Sequence, residues 1–121
     1  MNAAVRAIAI SLSVFAFAGC AVTVPKEMKL ADPYNRKVVD NPGTNLNDIS
    51  LACAETMINV SPATEATDID VRVLSQGDLV VTEVDAVLKN VGAFNNNLPV
   101  TYRCEYRNGH LASGIWTRGL K

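Results

Sequence analysis

The stretch that decides the fold is VTYRCEYRNGHLASGIWT, residues Val100–Thr117. At its centre lies Asn108-Gly109, the pair preferred in two-residue type I′ turns because both positions accept a positive φ. The runs on either side, Val100–Arg107 and His110–Thr117, have the composition of strands. The stretch therefore predicts a β-hairpin.

A two-residue turn fixes which residues of the two strands face each other. The predicted pairs are Arg107 with His110, Tyr106 with Leu111, Cys104 with Ser113, Tyr102 with Ile115, and Thr101 with Trp116. Side chains alternate between the two faces of a strand, so this register divides the hairpin into two sets. The set predicted to face the core is Tyr102, Cys104, Tyr106, Leu111, Ser113 and Ile115. The set predicted to face solvent includes Arg103, Arg107, Trp116 and Arg118.

The sequence before this hairpin predicts a helix and two more strands. In residues 46–59, apolar side chains recur every three or four positions, which places them on one helix face. These residues are Leu46, Ile49, Cys53 and Met57. Asn45 is a suitable N-cap, and Ser61-Pro62 ends the helix, because a residue before proline disfavours the helical conformation.

From Thr67 onward the hydrophobic period changes to two, which indicates strands on both sides of a turn at Gly77-Asp78. A loop of only these two residues sets Arg72 opposite Glu83 and Asp70 opposite Asp85. A longer loop keeps the same faces but changes the register, so the register stays open. Residues 89–97 are predicted to form a loop.

The three cysteines are Cys20, Cys53 and Cys104. Cys53 lies on the apolar helix face and Cys104 on the predicted core face of the hairpin, so both point into one interior. In an oxidising compartment such a pair predicts a disulfide, closing a loop of about 52 residues and contributing about 4 kcal/mol. Buried free thiols are the alternative; the spacing does not suit a metal site, and no cofactor is expected. The predicted fold class is α+β, with one helix packed on a four-stranded antiparallel β-meander in two layers.

The N-terminal segment has the pattern of a secretory signal peptide. Arg6 is the only charged residue before Lys26, and an apolar run lies between them. The end of this run, Phe17-Ala18-Gly19-Cys20, resembles the lipobox of bacterial lipoproteins. That resemblance implies a diacylglycerol on the Cys20 sulfur, cleavage before Cys20, and acylation of the new amine, with palmitate for example.

Further expectations concern the cellular location and the domain boundaries. Ala21, rather than Asp, after the cysteine resembles cargo of the outer membrane. Two alternatives stay open: an uncleaved membrane span and a plain signal peptide. The predicted organisation is a signal peptide at 1–19, a lipidated N-terminus and flexible tether at 20–45, and a small domain at 46–121. The tether is expected because Pro25, Pro33 and Pro42 interrupt any regular period.

Charge is distributed unevenly in the chain. Residues 40–85 hold nine acids and one base, whereas residues 86–121 hold five bases and one acid. The predicted solvent face of the last hairpin is therefore cationic, with Arg103 able to lie against Trp116 as a cation–π pair. This predicts a partner-binding surface formed by Arg103, Arg107, Trp116 and Arg118. The alternatives are a solvated face whose bases pair with the acidic half, and a Trp116 that covers the sheet edge.

Other function classes have little support in the sequence. A net charge of −1 gives no reason to expect nucleic acid as a partner. His110 is the only histidine; its nearest plausible carboxylate is Glu105, and no nucleophile faces both, so an enzyme is not predicted. Phe94 with the three asparagines that follow it predicts either a recognition loop or an ordinary mobile loop.

One further resemblance concerns function. Tyr102-Arg103-Cys104 and Ser113-Gly114 resemble segments of small lipoproteins that inhibit lysozyme, which implies an all-β barrel and inhibition of a secreted hydrolase or toxin. The leading expectation is a non-catalytic outer-membrane lipoprotein. Its lipid anchor would hold it at the periplasmic face, where its domain would bind an envelope protein or polymer.

Overall fold

The computed structural model describes residues 22–120. The predicted signal peptide and the lipidation site at Cys20 lie outside the described residues. The elements, in chain order, are β1 (Met28–Lys29), α1 (Leu46–Val60), β2 (Glu65–Gln76), β3 (Leu79–Val91), β4 (Asn96–Arg107) and β5 (His110–Arg118). The strands form one antiparallel sheet in the order β1-β2-β3-β4-β5. The α+β class is confirmed, but the sheet has five strands rather than the predicted four.

Helix α1 begins and ends where its capping residues predict. The Asn45 side chain accepts hydrogen bonds from the backbone N–H groups of Asn47 and Asp48, which otherwise lack partners at a helix start. The last turn of α1 contains no basic residue. Arg36 supplies that charge from outside: its Nη1 donates to the carbonyl oxygens of Ile58 at 3.2 Å and Ser61 at 2.7 Å.

The first hairpin adopts the register of a two-residue turn. Arg72 faces Glu83 and Asp70 faces Asp85. The loop predicted at residues 89–97 is shorter than expected, because β3 continues to Val91 and β4 already begins at Asn96. Only residues 92–95 turn, and Val91 pairs with Asn96 directly beside them.

The last hairpin has the predicted turn but not the predicted register. Arg107 faces His110 and Tyr106 faces Leu111 as expected, and then a β-bulge inserts Ala112. Beyond the bulge the observed pairs are Glu105 with Ser113, Cys104 with Gly114, Arg103 with Ile115, and Tyr102 with Trp116. A second register shift at Thr117 then sets Arg118 opposite Thr101, so Arg118 stays on the side of the sheet that faces solvent. The predicted pairs of Cys104 with Ser113, Tyr102 with Ile115, and Thr101 with Trp116 are therefore wrong.

The bulge has a physical reason in the sizes of the side chains. A one-residue shift exchanges the faces of the strand, so it turns Trp116 toward the core side and Ile115 toward solvent. The larger apolar surface is then the one removed from water. The shift also sets Gly114 beside Tyr102, whose hydroxyl occupies the place where a Gly114 side chain would begin.

Residues 22–45, here called the strap, lie along the domain and make backbone hydrogen bonds to it. The Leu30 N–H donates to the Thr64 carbonyl at 2.7 Å, and the Val39 N–H donates to the Thr56 hydroxyl on α1 at 3.1 Å. At the far side of the domain, the Leu111 N–H of β5 donates to the Asp40 carbonyl at 2.9 Å. The strap therefore contacts the domain just before β2, at α1 and at β5, contacts that its prolines do not predict.

The core lies between α1 and the sheet, and the predicted disulfide lies inside it. Cys53 of α1 and Cys104 of β4 are both fully buried and are bonded, with their Cα atoms 6.0 Å apart. The surrounding core residues include Ile49, Met57 and Tyr106. The disulfide thus joins the helix to the sheet at the centre of the domain, as the two periodicities predict.

Candidate binding surface

The sheet has one face that α1 does not cover, here called the outer face. Long polar side chains lie across it in rows set by the strand register. One row contains Arg72, Glu83, Arg103 and Ile115; the next contains Asp70, Asp85, Thr101 and Arg118. These rows bring residues from four strands into side-by-side contact, which sequence alone does not reveal.

Hydrogen bonds connect five of these residues into a network: Arg72, Glu83, Asp85, Thr101 and Arg118. Arg72 Nη1 donates to Asp85 Oδ2 at 2.5 Å, and Arg72 Nη2 donates to Glu83 Oε1 at 3.2 Å. The Thr101 hydroxyl donates to Asp85 Oδ1 at 2.6 Å. The hydrogen bonds from Arg72 lower the pKa of Asp85, with smaller contributions from Thr101, although partial burial opposes them. Asp85 is therefore the residue on which the network depends.

The predicted partner-binding arginines all lie on the outer face or at its end. Arg118 Nε lies 3.2 Å from the Thr101 hydroxyl oxygen and donates to it. Arg103 lies 3.5 Å from Glu105, and Arg107 lies 3.8 Å from Asp78. The side chains of Arg103 and Arg107 are 40% and 58% exposed. The face is therefore of mixed charge, because its bases lie beside acids, as one of the sequence-based alternatives proposes.

Trp116 is not on this face, and the predicted Arg103–Trp116 cation–π pair is wrong. The bulge places the indole on the core side, where it packs on Tyr102 with ring centroids 4.7 Å apart and planes tilted by 58°. Trp116 is half-buried at the rim of the core. This position matches the alternative in which Trp116 covers the sheet edge.

Ile115 is displaced in the opposite direction from Trp116. The alternation of the strand predicts it in the core, but it lies on the outer face with 52% of its surface exposed. It also belongs to β5, which has no strand neighbour on one side within the described residues. An apolar side chain thus lies beside a row of backbone groups at the edge of the sheet.

The remaining candidates from the sequence lie apart from one another. A cleft of about 470 Å³ lies between the start of α1 and two hairpin turns, but Asp78 is the only ionisable residue lining it. His110 is exposed, and in residues 22–120 no cluster of His, Cys, Asp and Glu could hold a metal ion. Phe94 is 86% exposed in a short turn. No helix within the described range is both long and apolar enough to cross a membrane.

Comparisons with models of protein families, with curated proteins and with solved structures find no match to this chain.

Proposed function

We propose that this chain is a lipid-anchored, non-catalytic protein of the bacterial outer membrane whose domain, at the periplasmic face, binds a protein or an envelope polymer. The observation that carries the binding role is the helix-free outer face. It presents Arg103, Arg107 and Arg118 in fixed rows, each beside an acid or a hydroxyl group. Such an arrangement places three charged donors on one surface, where a partner of complementary charge can contact them.

Two features support the envelope as the location. The segment ending at Cys20 has the lipobox pattern, and three acyl chains together would hold a protein firmly at a membrane. Disulfides such as the buried bond between Cys53 and Cys104 are typical of proteins that fold in an oxidising compartment. The lipid also accounts for the odd number of cysteines, because it leaves an even pair for the disulfide.

Trp116 has a different role in this proposal from the one that its sequence position suggests. Its contact with Tyr102 holds β5 against β4 from the core side, so it supports the outer face without touching a partner. Interface hot spots combine arginines with a buried, well-packed centre. The binding residues proposed here are therefore the three arginines, with Trp116 as their structural support.

The proposal is tested by photo-crosslinking in intact cells with the full-length chain. A crosslinking residue at position 107, on the outer face, is expected to form an adduct with an envelope component. The matched control is position 34, because Tyr34 on the strap is 98% exposed. Equal adduct formation at both positions, or none at position 107, would contradict a partner on the outer face.

A second experiment separates binding from stability. Replacing Arg103 and Arg107 together by Ala is expected to reduce the adduct while leaving the melting temperature nearly unchanged, because both side chains are exposed. Lys37→Ala, an exposed base on the strap, is the control for net charge. A large loss of stability with unaltered adduct formation would show that these arginines serve packing.

One observation favours the second candidate, an inhibitor of a secreted hydrolase. The two segments that resemble lysozyme inhibitors lie side by side, with Cys104 directly opposite Gly114. The fold, however, is a helix packed on an open sheet and not the all-β barrel that this resemblance implies. A lysozyme activity assay with the purified protein separates the candidates: stoichiometric inhibition supports the inhibitor, and unchanged activity supports the binding module.

A further inference from the structure

The two edges of the sheet differ in how they are protected against pairing. Edge strand β1 has only two residues, is preceded by Pro25 and contains a lysine, all features that discourage strand addition. Edge strand β5 has nine residues, HLASGIWTR, with neither proline nor lysine. The strap covers this edge only at Leu111, through the Asp40 carbonyl. The rest of β5 is an edge suited to another strand.

The register shows which backbone groups of β5 point outward. Arg107 and His110 flank a two-residue turn, so they form the hydrogen-bonded pair that closes it. Alternation along β4 then directs the N–H and C=O groups of Arg103 toward β5, and those of Ile115 toward β4. The N–H and C=O groups of Gly114 and Trp116 therefore point away from the sheet.

The side chains along this edge are complementary to themselves in reverse order. When Ser113–Thr117 runs antiparallel to a second copy of itself with Ile115 opposite Ile115, Gly114 lies opposite Trp116 and Ser113 opposite Thr117. The outward backbone groups of Gly114 and Trp116 then meet their counterparts, forming two hydrogen-bonded pairs. Ile115 gains the apolar neighbour it lacks, and the bulky indole lies beside a residue without a side chain.

We propose that this chain forms a two-fold symmetric dimer in which β5 of one copy pairs with β5 of another, joining two five-stranded sheets. Such an interface is isologous, because each copy contributes the same patch. The proposal rests on the edge geometry of residues 110–118 and not on the function proposed above.

Charge at the ends of the paired segment agrees with the same register. With Ile115 on the two-fold axis, Arg118 of one copy follows the register shift at Thr117 and lies at the end of the paired segment, close to Ala112 and Leu111 of the other. Asp40, which is exposed, lies against Leu111 at that edge. Each end of the interface therefore brings an arginine toward an aspartate of the other copy. The strap covers the edge at Leu111, so the free part of the edge ends at the point that the second copy's β5 reaches.

Cysteine crosslinking of the full-length protein in the envelope tests the proposal. Ile115→Cys places two thiols opposite each other at a non-hydrogen-bonded pair, where Cα atoms lie about 4.5 Å apart, within disulfide range. We expect a shift from monomer to a reducible dimer on a non-reducing gel. The control is Ser113→Cys, which faces Thr117 of the second copy and not its own counterpart, and which should remain monomeric.

A second variant tests the charge contact. Adding Asp40→Lys to Ile115→Cys is expected to reduce the dimer band, because the introduced ammonium group would approach Arg118 of the other copy. Asp32→Lys, at an exposed acid elsewhere on the strap, should leave the band unchanged. The proposal is overturned by equal crosslinking at positions 113 and 115, by none at position 115, or by an Ile115→Lys variant that sediments in the same oligomeric state as the wild type.

Discussion

Loss of the Cys53–Cys104 disulfide should cost this domain a large part of its stability. The two residues are 51 positions apart, and for a loop of this length the chain-entropy description gives about 4 kcal/mol. For a domain of this size, 1 kcal/mol corresponds to about 4–8 °C in melting temperature, so the shift should be about 20 °C. The free energy of unfolding of such domains is about 5–15 kcal/mol, so the reduced protein should keep about 1–11 kcal/mol of it.

The assay is urea denaturation of the oxidised protein, of the reduced protein, and of a variant carrying Cys53→Ala and Cys104→Ala. Both thiols are fully buried, so reduced protein and variant should lose similar amounts of stability. The single Cys104→Ala variant should lose about 2–5 kcal/mol. Quantitative alkylation of both thiols in unreduced protein, or three coinciding unfolding midpoints, would contradict this role of the disulfide.

Three further perturbations follow from the packing and charges. Trp116→Ala should lower the free energy of unfolding by about 2 kcal/mol, because it removes a half-buried ring and its contact with Tyr102; urea denaturation measures this, and an unchanged midpoint contradicts it. Asp85→Asn should flatten the fall of stability below about pH 4. The pKa of Asp85 is lowered in the fold, so its contribution to stability is present above the unfolded-state pKa and is lost as the pH falls through the folded-state pKa. Thermal melts of wild type and variant across that pH range would record the difference. Gly114→Ala should destabilise the wild type but cost less in a Tyr102→Phe background, because the clash is with the tyrosine hydroxyl; a double-mutant cycle that shows no coupling would exclude that contact.

The helix and the disulfide could be predicted because their signals are local or redundant. The apolar spacing of α1 and the ability of the Asn45 side chain to accept hydrogen bonds from the helix start both involve residues close together in the chain. Both features are present in the structure. Cys53 and Cys104 are each assigned to the interior by a separate periodicity. An error in the register of β5 does not move Cys104, because β4 itself has no bulge between Tyr102 and Glu105.

The outer face could not be predicted to the same extent, because two register shifts decide it, one at Ala112 and one at Thr117. Nothing local to Ala112 specifies an extra residue; the bulge follows from which of Ile115 and Trp116 is better buried against Tyr102, a contact between strands. The hydrogen bonds of the strap could not be predicted for a related reason. Its prolines exclude regular structure, but they do not exclude hydrogen bonds to a helix and to a sheet edge, such as that from Val39 to Thr56.

The proposed function depends first on the acylation of Cys20, which intact mass spectrometry of the protein extracted from membranes can measure. The extracted chain is expected to begin at Cys20 and to carry the added mass of a diacylglycerol and one further acyl chain. Replacement of Cys20 by Ser, or globomycin treatment of the wild type, is expected to leave unprocessed precursor. A Cys20→Ser protein that matures normally, or a wild-type mass without lipid, would contradict the account.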